Sequence, residues 1–269
     1  MPLSAPAKDE KYRNLLGSLG PMGKAVVAFS GGLDSSFLLH AARQALGDGV
    51  LAVTLVTAYM PQSEIEEAKR FARDMSVRHL ALAVPFPEAL RDNPPQRCYL
   101  CKLGLYSLIK KLAAGEAIAH VLDGTNLDDL DDYRPGLKAL GELGVVSPLL
   151  CAGLTKNDIR ELSREHGLPT WDKPAGACLL SRLPHGRRVE DTELRRIDQA
   201  EDFLKGLGFA AVRLRSHGDL ARIEVPRERV GEMVEADRLH GIEARLRALG
   251  YRHVTVDLAG YQMGSLSVR

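Results

Sequence analysis

The chain has 269 residues, room for one large domain or two, and we read two. Hydrophobic residues make up 45% and charged residues 26%, which excludes disordered, collagenous and low-complexity classes. The 36 Lys and Arg against 35 Asp and Glu leave a net charge of +1, so neither nucleic acid nor a membrane is an expected partner.

No apolar run approaches a membrane span and no signal peptide opens the chain, so a cytoplasmic protein is expected. The spacing predicts a helix over 12–19, broken by Gly20-Pro21-Met22-Gly23. Residues 25–29 are continuously apolar, the mark of a strand buried on both faces. A glycine pair and a helical pattern through Phe37, Leu38, Ala41, Ala42 and Ala45 follow. Strands over 50–57, 79–84 and 121–123 then alternate with helices over 63–75 and around 103–113. That alternation predicts an α/β fold, a parallel sheet with helices on both faces. Thr155-Lys156-Asn157-Asp158 reads as an N-cap opening a helix that ends near Gly167. Pro169, Pro174, Gly176 and Pro184 mark a long loop as a seam. Beyond it come a helix from Asp191, strands over 211–215 and 221–225, a helix over 227–249 and a strand over 253–257. The expected domains are 1–185 and a small α+β domain over 186–269 that serves substrate contact or oligomerisation.

Ser30-Gly31-Gly32-Leu33-Asp34-Ser35-Ser36 falls between the first strand and its helix. Paired glycines let backbone N–H groups converge on an anion, serines add donors, and the helix adds its positive end. The run lacks the Lys of an ordinary P-loop and the spacing of a dinucleotide fingerprint. Asp34 would repel bare phosphate, which makes it a partner for Mg²⁺. A plain Gly-Gly turn with a helix cap is the alternative.

Four cysteines in a chain of this length make no disulfide scaffold; they suggest metal or redox chemistry. Arg97-Cys98-Tyr99-Leu100-Cys101-Lys102 holds a close thiol pair, and Cys178 lies in Gly176-Ala177-Cys178-Leu179-Leu180-Ser181-Arg182. Arg97, Lys102 and Arg182 favour thiolates nearby. Three thiolates suit three corners of a 4Fe-4S cluster, whereas a closed zinc site needs four ligands. The remaining cysteine, Cys151, has apolar neighbours Leu149, Leu150 and Ala152, and reads as a buried core thiol. An incidental pair is the plain alternative for Cys98 and Cys101.

Arg213 and Arg215, two apart on a strand, share a face that either clamps a phosphate or carboxylate or is merely solvated. Asp128, Asp129, Asp131 and Asp132 follow a strand's carboxyl end, where one of them meets Mg²⁺ or substrate unless the run is a solvated loop. Trp171 and Tyr99 could stack on a ring, with core packing the default, and His185 reads as a surface residue.

The S-G-G-x-D-S run after a first strand resembles the PP-loop family of ATP pyrophosphatases. Gly124-Thr125-Asn126-Leu127-Asp128-Asp129, Arg134-Pro135-Gly136, Ser147-Pro148-Leu149-Leu150 and the stretch from Thr155-Lys156 to Gly167-Leu168-Pro169 are similar to that family's later segments. The whole chain most resembles the LarE family, PP-loop sulfur-inserting enzymes of nickel-pincer cofactor biosynthesis, through that loop, the R-C-x-x-C-K and A-C-L-x-S-R segments, the Asp-rich run and the small C-terminal domain. The resemblance implies that ATP and Mg²⁺ bind at Ser30, Gly31, Gly32, Asp34, Ser35 and Ser36, with Thr57 and Gly124. ATP would be cut between its α and β phosphates, and AMP placed on a carboxylate of a pyridinium dicarboxylate mononucleotide. Sulfur would then displace AMP to give a thiocarboxylate. Cys178 matches a position that donates its own sulfur in some family members, while members with three active-site cysteines carry a 4Fe-4S cluster. With Cys98 and Cys101 present, the chain looks like the cluster-bearing type, and a sacrificial Cys178 is secondary. Lys102, Arg182, Arg213 and Arg215 are expected to hold substrate phosphate or carboxylate, and Glu201 and Glu224 fall where family members show metal-binding or active-site carboxylates. The implied partners are a small-molecule nucleotide, a sulfide or sulfur donor, and a second copy of the chain. A tRNA thiolation enzyme and an ammonia-using PP-loop ligase are the alternatives. No zinc-ribbon or RNA-binding module speaks for the first, and the second leaves the C-x-x-C unexplained.

Overall fold

The computed structural model describes residues 7–130 and 135–261, so Asp131, Asp132 and Arg134 lie outside the described residues. Contacts divide the chain into two interleaved units. The first takes Met1–Val56, Glu64–Val84 and Cys98–Ala175; the second takes Thr57–Ser63, Pro85–Arg97 and Gly176–Arg269.

The first unit is built on β1 (Ala25–Ala28), β2 (Val50–Val56), β3 (Arg78–Ala83) and β4 (His120–Leu122). All pair in parallel, in the order β3-β2-β1-β4. The helices are α1 (Lys8–Leu19), α2 (Leu33–Leu46), α3 (Gln62–Asp74) and α4 (Arg97–Gly115), the last two beginning with residues of the second unit. Successive residues of a strand face opposite ways, and the unbroken apolar run of β1 supplies both layers. Ala25 and Val27 join Leu15, Phe37 and Leu38 of α1 and α2 in one core. Val26 joins Ile109 and Ala113 of α4 in the other. The parallel sheet covered on both faces is therefore the one the alternating pattern predicts.

Two short helices that the pattern does not announce follow, α5 (Pro135–Glu142) and α6 (Pro148–Cys151). Then α7 (Lys156–Glu165) opens on the expected capping box. Asp158 N–H donates to Thr155 Oγ1 at 3.1 Å, and Thr155 N–H donates to Asp158 Oδ2 at 3.0 Å.

In the second unit α8 (Asp191–Gly206) accompanies a sheet of β5 (Arg213–His217), β6 (Leu220–Glu224) and β7 (His253–Val256), in that order. β5 and β6 form an antiparallel hairpin across Gly218-Asp219, with Gly218 at φ 75°, and β7 lies parallel to β6. The helix predicted over 227–249 is two, α9 (Val230–His240) and α10 (Ile242–Ala248). Gly241 between them is left-handed, at φ 61°. Asp237 closes one helix and opens the next: its carbonyl accepts from Gly241 N–H, and its carboxylate accepts from Glu243 N–H at 2.7 Å.

Candidate active site

The chain runs from β1 outward through β2 and β3, then returns to the other side of β1 for β4. At such a reversal the loops leaving two neighbouring strands part and open a crevice at their carboxyl ends, where doubly wound sheets bind ligands. The two segments there are 30–36, the turn after β1 with the first turn of α2, and 123–126, after β4. Gly31 has φ 73°, and a Cβ on it would lie 2.9 Å from Cβ of Ala68 on α3. Conformation and space both demand glycine. A Cβ on Gly124 would stand 3.0 Å from the Ser35 nitrogen, so the two loops are in direct contact. The Ser30 and Ser35 hydroxyls lie 3.0 Å apart, and Ser35 Oγ donates to Gly32 O at 3.2 Å. No side chain caps α2 at Gly32, which leaves the helix's positive end facing the loop. Ser36 Oγ is buried and has no partner among the described residues; Thr57 Oγ1, in the second unit, is in the same state.

Asp34, in the first turn of α2, is ion-paired with Lys156 and accepts from Asn126 Nδ2 at 3.2 Å. Asp128 accepts from Lys156 N–H at 2.8 Å, and Asp129 accepts from Asn126 N–H at 3.1 Å. Lys173 Nζ donates to Gly31 O at 2.9 Å and to Glu67 Oε2 at 2.6 Å. Because C=O and N–H of a trans peptide point opposite ways, this bond turns Gly32 N–H toward the other side of the loop. The sequence reading did not single out Lys156, Asn126 or Lys173 as site residues. Lys156 and Asn126 stand inside the quoted runs, whereas nothing local marks Lys173.

Cys98 and Cys101 start α4 three residues apart, on one helical face. Cys98 is exposed and Cys101 half-buried, and none of the four cysteines is in a disulfide. Lys102 Nζ lies 3.7 Å from Asp123 Oδ2, and that carboxylate also accepts from Thr125 Oγ1 and Ser147 Oγ. Burial, followed by the charges of Asp123 and Cys101, pushes the Tyr106 phenol well above its usual range.

In the second unit Cys178 precedes a short turn over 179–182, held by Ser181 and Arg182. Arg182 forms a two-pronged ion pair with Glu201. Arg213 and Arg215 do share a face of β5, but that face is buried: the residues are 6% and 5% exposed. Arg213 donates to Val212 O at 2.8 Å and lies 5.3 Å over the Tyr261 ring. Arg215 pairs with Glu224 and donates to Ser181 O at 2.6 Å. Arg97 lies 2.8 Å from His185, whose Nδ1 is 3.1 Å from Asn93 O, so His185 belongs to this network rather than to open surface.

Two expectations are corrected. Cys151 is exposed, not a core thiol. In α6 it stands two residues beyond the fully buried Leu149, about 200° round the axis at 3.6 residues per turn, so the core takes Leu149 and solvent takes the thiol. Neither Trp171 nor Tyr99 packs in a core: Trp171 is 40% exposed, and Tyr99 bonds Glu142 from the surface. Among the described residues no group of three or more His, Cys, Asp or Glu is arranged around a metal position. No helix among them is long and apolar enough to cross a membrane.

The family described as "Queuosine biosynthesis protein QueC" matches residues 24–94. An uncharacterized protein of Synechocystis sp. is 38% identical across 96% of this chain and 97% of its own length. The Lactiplantibacillus plantarum protein named "Pyridinium-3,5-bisthiocarboxylic acid mononucleotide synthase" is 37% identical across 96% of this chain and 94% of its own. An uncharacterized protein of Methanocaldococcus jannaschii is 28% identical across 94% and 93%. A glycine-serine loop at the reversal point of a parallel sheet, in a chain with these relatives, defines a PP-loop ATP pyrophosphatase. Within that class the chain belongs to the LarE family.

Proposed function

We propose that this chain is an ATP-dependent sulfurtransferase that activates a carboxylate of a pyridinium dicarboxylate mononucleotide and converts it to a thiocarboxylate. The reading is carried by the full-length similarity to the Lactiplantibacillus plantarum synthase. The QueC match spans only residues 24–94, which hold β1 to β3 with α2 and α3, and so supports the ATP step alone.

A substrate carboxylate oxygen attacks the α-phosphorus of ATP, pyrophosphate leaves, and the acyl-adenylate forms. A sulfur nucleophile then attacks the acyl carbon and expels AMP together with that oxygen. Ser30, Gly31, Gly32, Ser35, Ser36, Gly124 and the end of α2 hold the pyrophosphate, and Thr57 adds a hydroxyl. The unspent Ser36 hydroxyl and the oxygen donors of Asp34 and Asn126 fit a Mg-nucleotide. Asp34 would hold Mg²⁺, which would supply positive charge against the pyrophosphate leaving group. Lys102 meets the substrate's anionic groups, whereas Arg213 and Arg215, buried and engaged with Val212 O, Glu224 and Ser181 O, brace the strand that carries them.

Cys98, Cys101 and Cys178 handle sulfur, and three thiols are by number and chemistry the donors that a 4Fe-4S cluster with one open iron would take. When bound, the cluster supplies an iron open to external sulfide. The enzyme works in the cytoplasm as a homo-oligomer. The test is anaerobic turnover with ATP, the mononucleotide and excess sulfide, with iron analysis and intact-protein mass. Several thiocarboxylates per chain, with iron bound and Cys178 intact, are expected. One product per chain, with Cys178 converted to dehydroalanine by loss of H₂S, would replace the cluster by the sacrificial route. No product from either route would overturn the proposal.

A further inference from the structure

The structure assigns to Arg182 and Glu201 a joint role as a positioning pair that fixes the peptide carrying Cys178, in place of the substrate and metal contacts their positions in the sequence suggest. The assignment rests on the reading that Cys178 takes part in the sulfur step.

The pair is closed to solvent, its side chains 2% and 1% exposed. Nε and Nη2 of Arg182 donate to the two oxygens of Glu201 at 2.8 and 2.9 Å. Nη1 points the other way, to Ala177 O at 2.8 Å, Ser181 Oγ at 2.8 Å and Cys178 O at 3.3 Å. Ala177 O belongs to the peptide before Cys178, and Cys178 O to the peptide after it. One guanidinium thus grips both peptide planes that meet at the Cys178 Cα, and with them the direction of its Cα–Cβ bond. Ser181 N–H and Oγ–H donate to the same Cys178 carbonyl at 3.0 and 2.8 Å. Leu179 N–H is held on Tyr59 O at 2.8 Å.

Glu201 anchors the grip, since Oε1 also accepts from Leu214 N–H of β5 at 2.9 Å. A continuous path runs from sheet to carboxylate to guanidinium to the thiol-bearing peptide. Burial works to raise the Glu201 carboxyl, and Arg182, with the Leu214 N–H and the charge of Arg213, outweighs it, holding the group below the usual carboxylate range. Both carboxylate oxygens are engaged, as a structural counter-ion requires and a metal ligand does not.

The test uses the full chain, reduced and treated with a chelator, in the variants Glu201→Gln, Arg182→Met, the double variant Arg182→Met/Glu201→Gln, and Arg182→Lys. Three readouts are taken: unfolding midpoint, thiocarboxylate formation by the untreated protein, and the pH profile of Cys178 alkylation by iodoacetamide, followed by peptide mass with exposed Cys151 as reference. Each single variant should lose stability because a buried charge is left alone, and the double variant should regain it. The double variant should still show a displaced Cys178 profile and a rate lower by about 100-fold, the scale of loss for a reacting group misplaced by about 1 Å. Arg182→Lys keeps the charge without the fork and should fold with the same displaced profile. A folded double variant, or a folded Arg182→Lys, with wild-type Cys178 profile and rate would overturn the inference. Cys178→Ala separates the two levels: full product from it sinks the sulfur role of Cys178, while the alkylation profiles still decide the positioning.

Discussion

On the proposed function, Asp34 is an acidic residue in the loop that holds pyrophosphate, a placement that destabilises the anion unless a cation stands between. Asp34→Asn should therefore leave a folded protein without substrate-dependent ATP–pyrophosphate exchange, and exchange near the wild-type rate would remove Asp34 from the metal step. Gly31 offers a second residue-scale test. A methyl there meets both a left-handed backbone and Ala68 Cβ at 2.9 Å. Gly31→Ala should weaken ATP binding at least about tenfold, and adding Ala68→Gly should recover only part, since space returns but the backbone strain of about 1 kcal/mol does not. Titration calorimetry of the two variants checks this; full recovery would show that crowding alone was at work.

At the scale of elements, the cap of α7 both starts a helix and delivers Lys156 to Asp34. Thr155→Ala should cost about 1 kcal/mol in urea unfolding. It should also raise KM for ATP; a rise in KM with unchanged stability would mean that the cap does not set the helix start. This cap was legible in the sequence because its two partners are three residues apart. β1 and β2 were legible too, since burial on both faces leaves apolar runs such as Ala25–Ala28. The split between α9 and α10 was not: the helical period runs on through Gly241, and only its φ of 61° interrupts it. Nor were the partners of Arg182 and Arg215, which lie 19 and 9 residues away on other elements. The shared face of Arg213 and Arg215 could be read from alternation, but its burial could not, because charge normally signals exposure.

Across the whole molecule, three histidines are held below their ordinary value of 6.5. Burial is the first cause for each. Next come His166 beside His40, Lys69 near His79, and Arg222, Arg187 and Arg215 around His217. Both nitrogens of His40 are buried and without partners among the described residues, 4.8 Å from the ring of His166. As pH falls through 6.5 the unfolded chain binds these protons before the folded one does. Stability is thus complete above that value and declines below it, down to the folded pKa values. The unfolding midpoint should drop between pH 7 and pH 5, and His40→Gln should flatten the drop; an unchanged slope would place the loss elsewhere.

The interleaving of the two units bears on the order in which the chain is made. Segments 57–63 and 85–97 leave the ribosome well before the residues they pack on. Leu90 ends fully buried, and Asn93 Nδ2 donates to the carbonyls of Leu180, Leu183 and Pro184. β1 to β4 can close as soon as they emerge, while these two segments stay bare until the last third of the polypeptide arrives. The nascent protein is thus exposed at two internal stretches rather than at its growing end. Holdase chaperones would engage there, and synthesis halted at residue 175 would yield a species that binds them persistently.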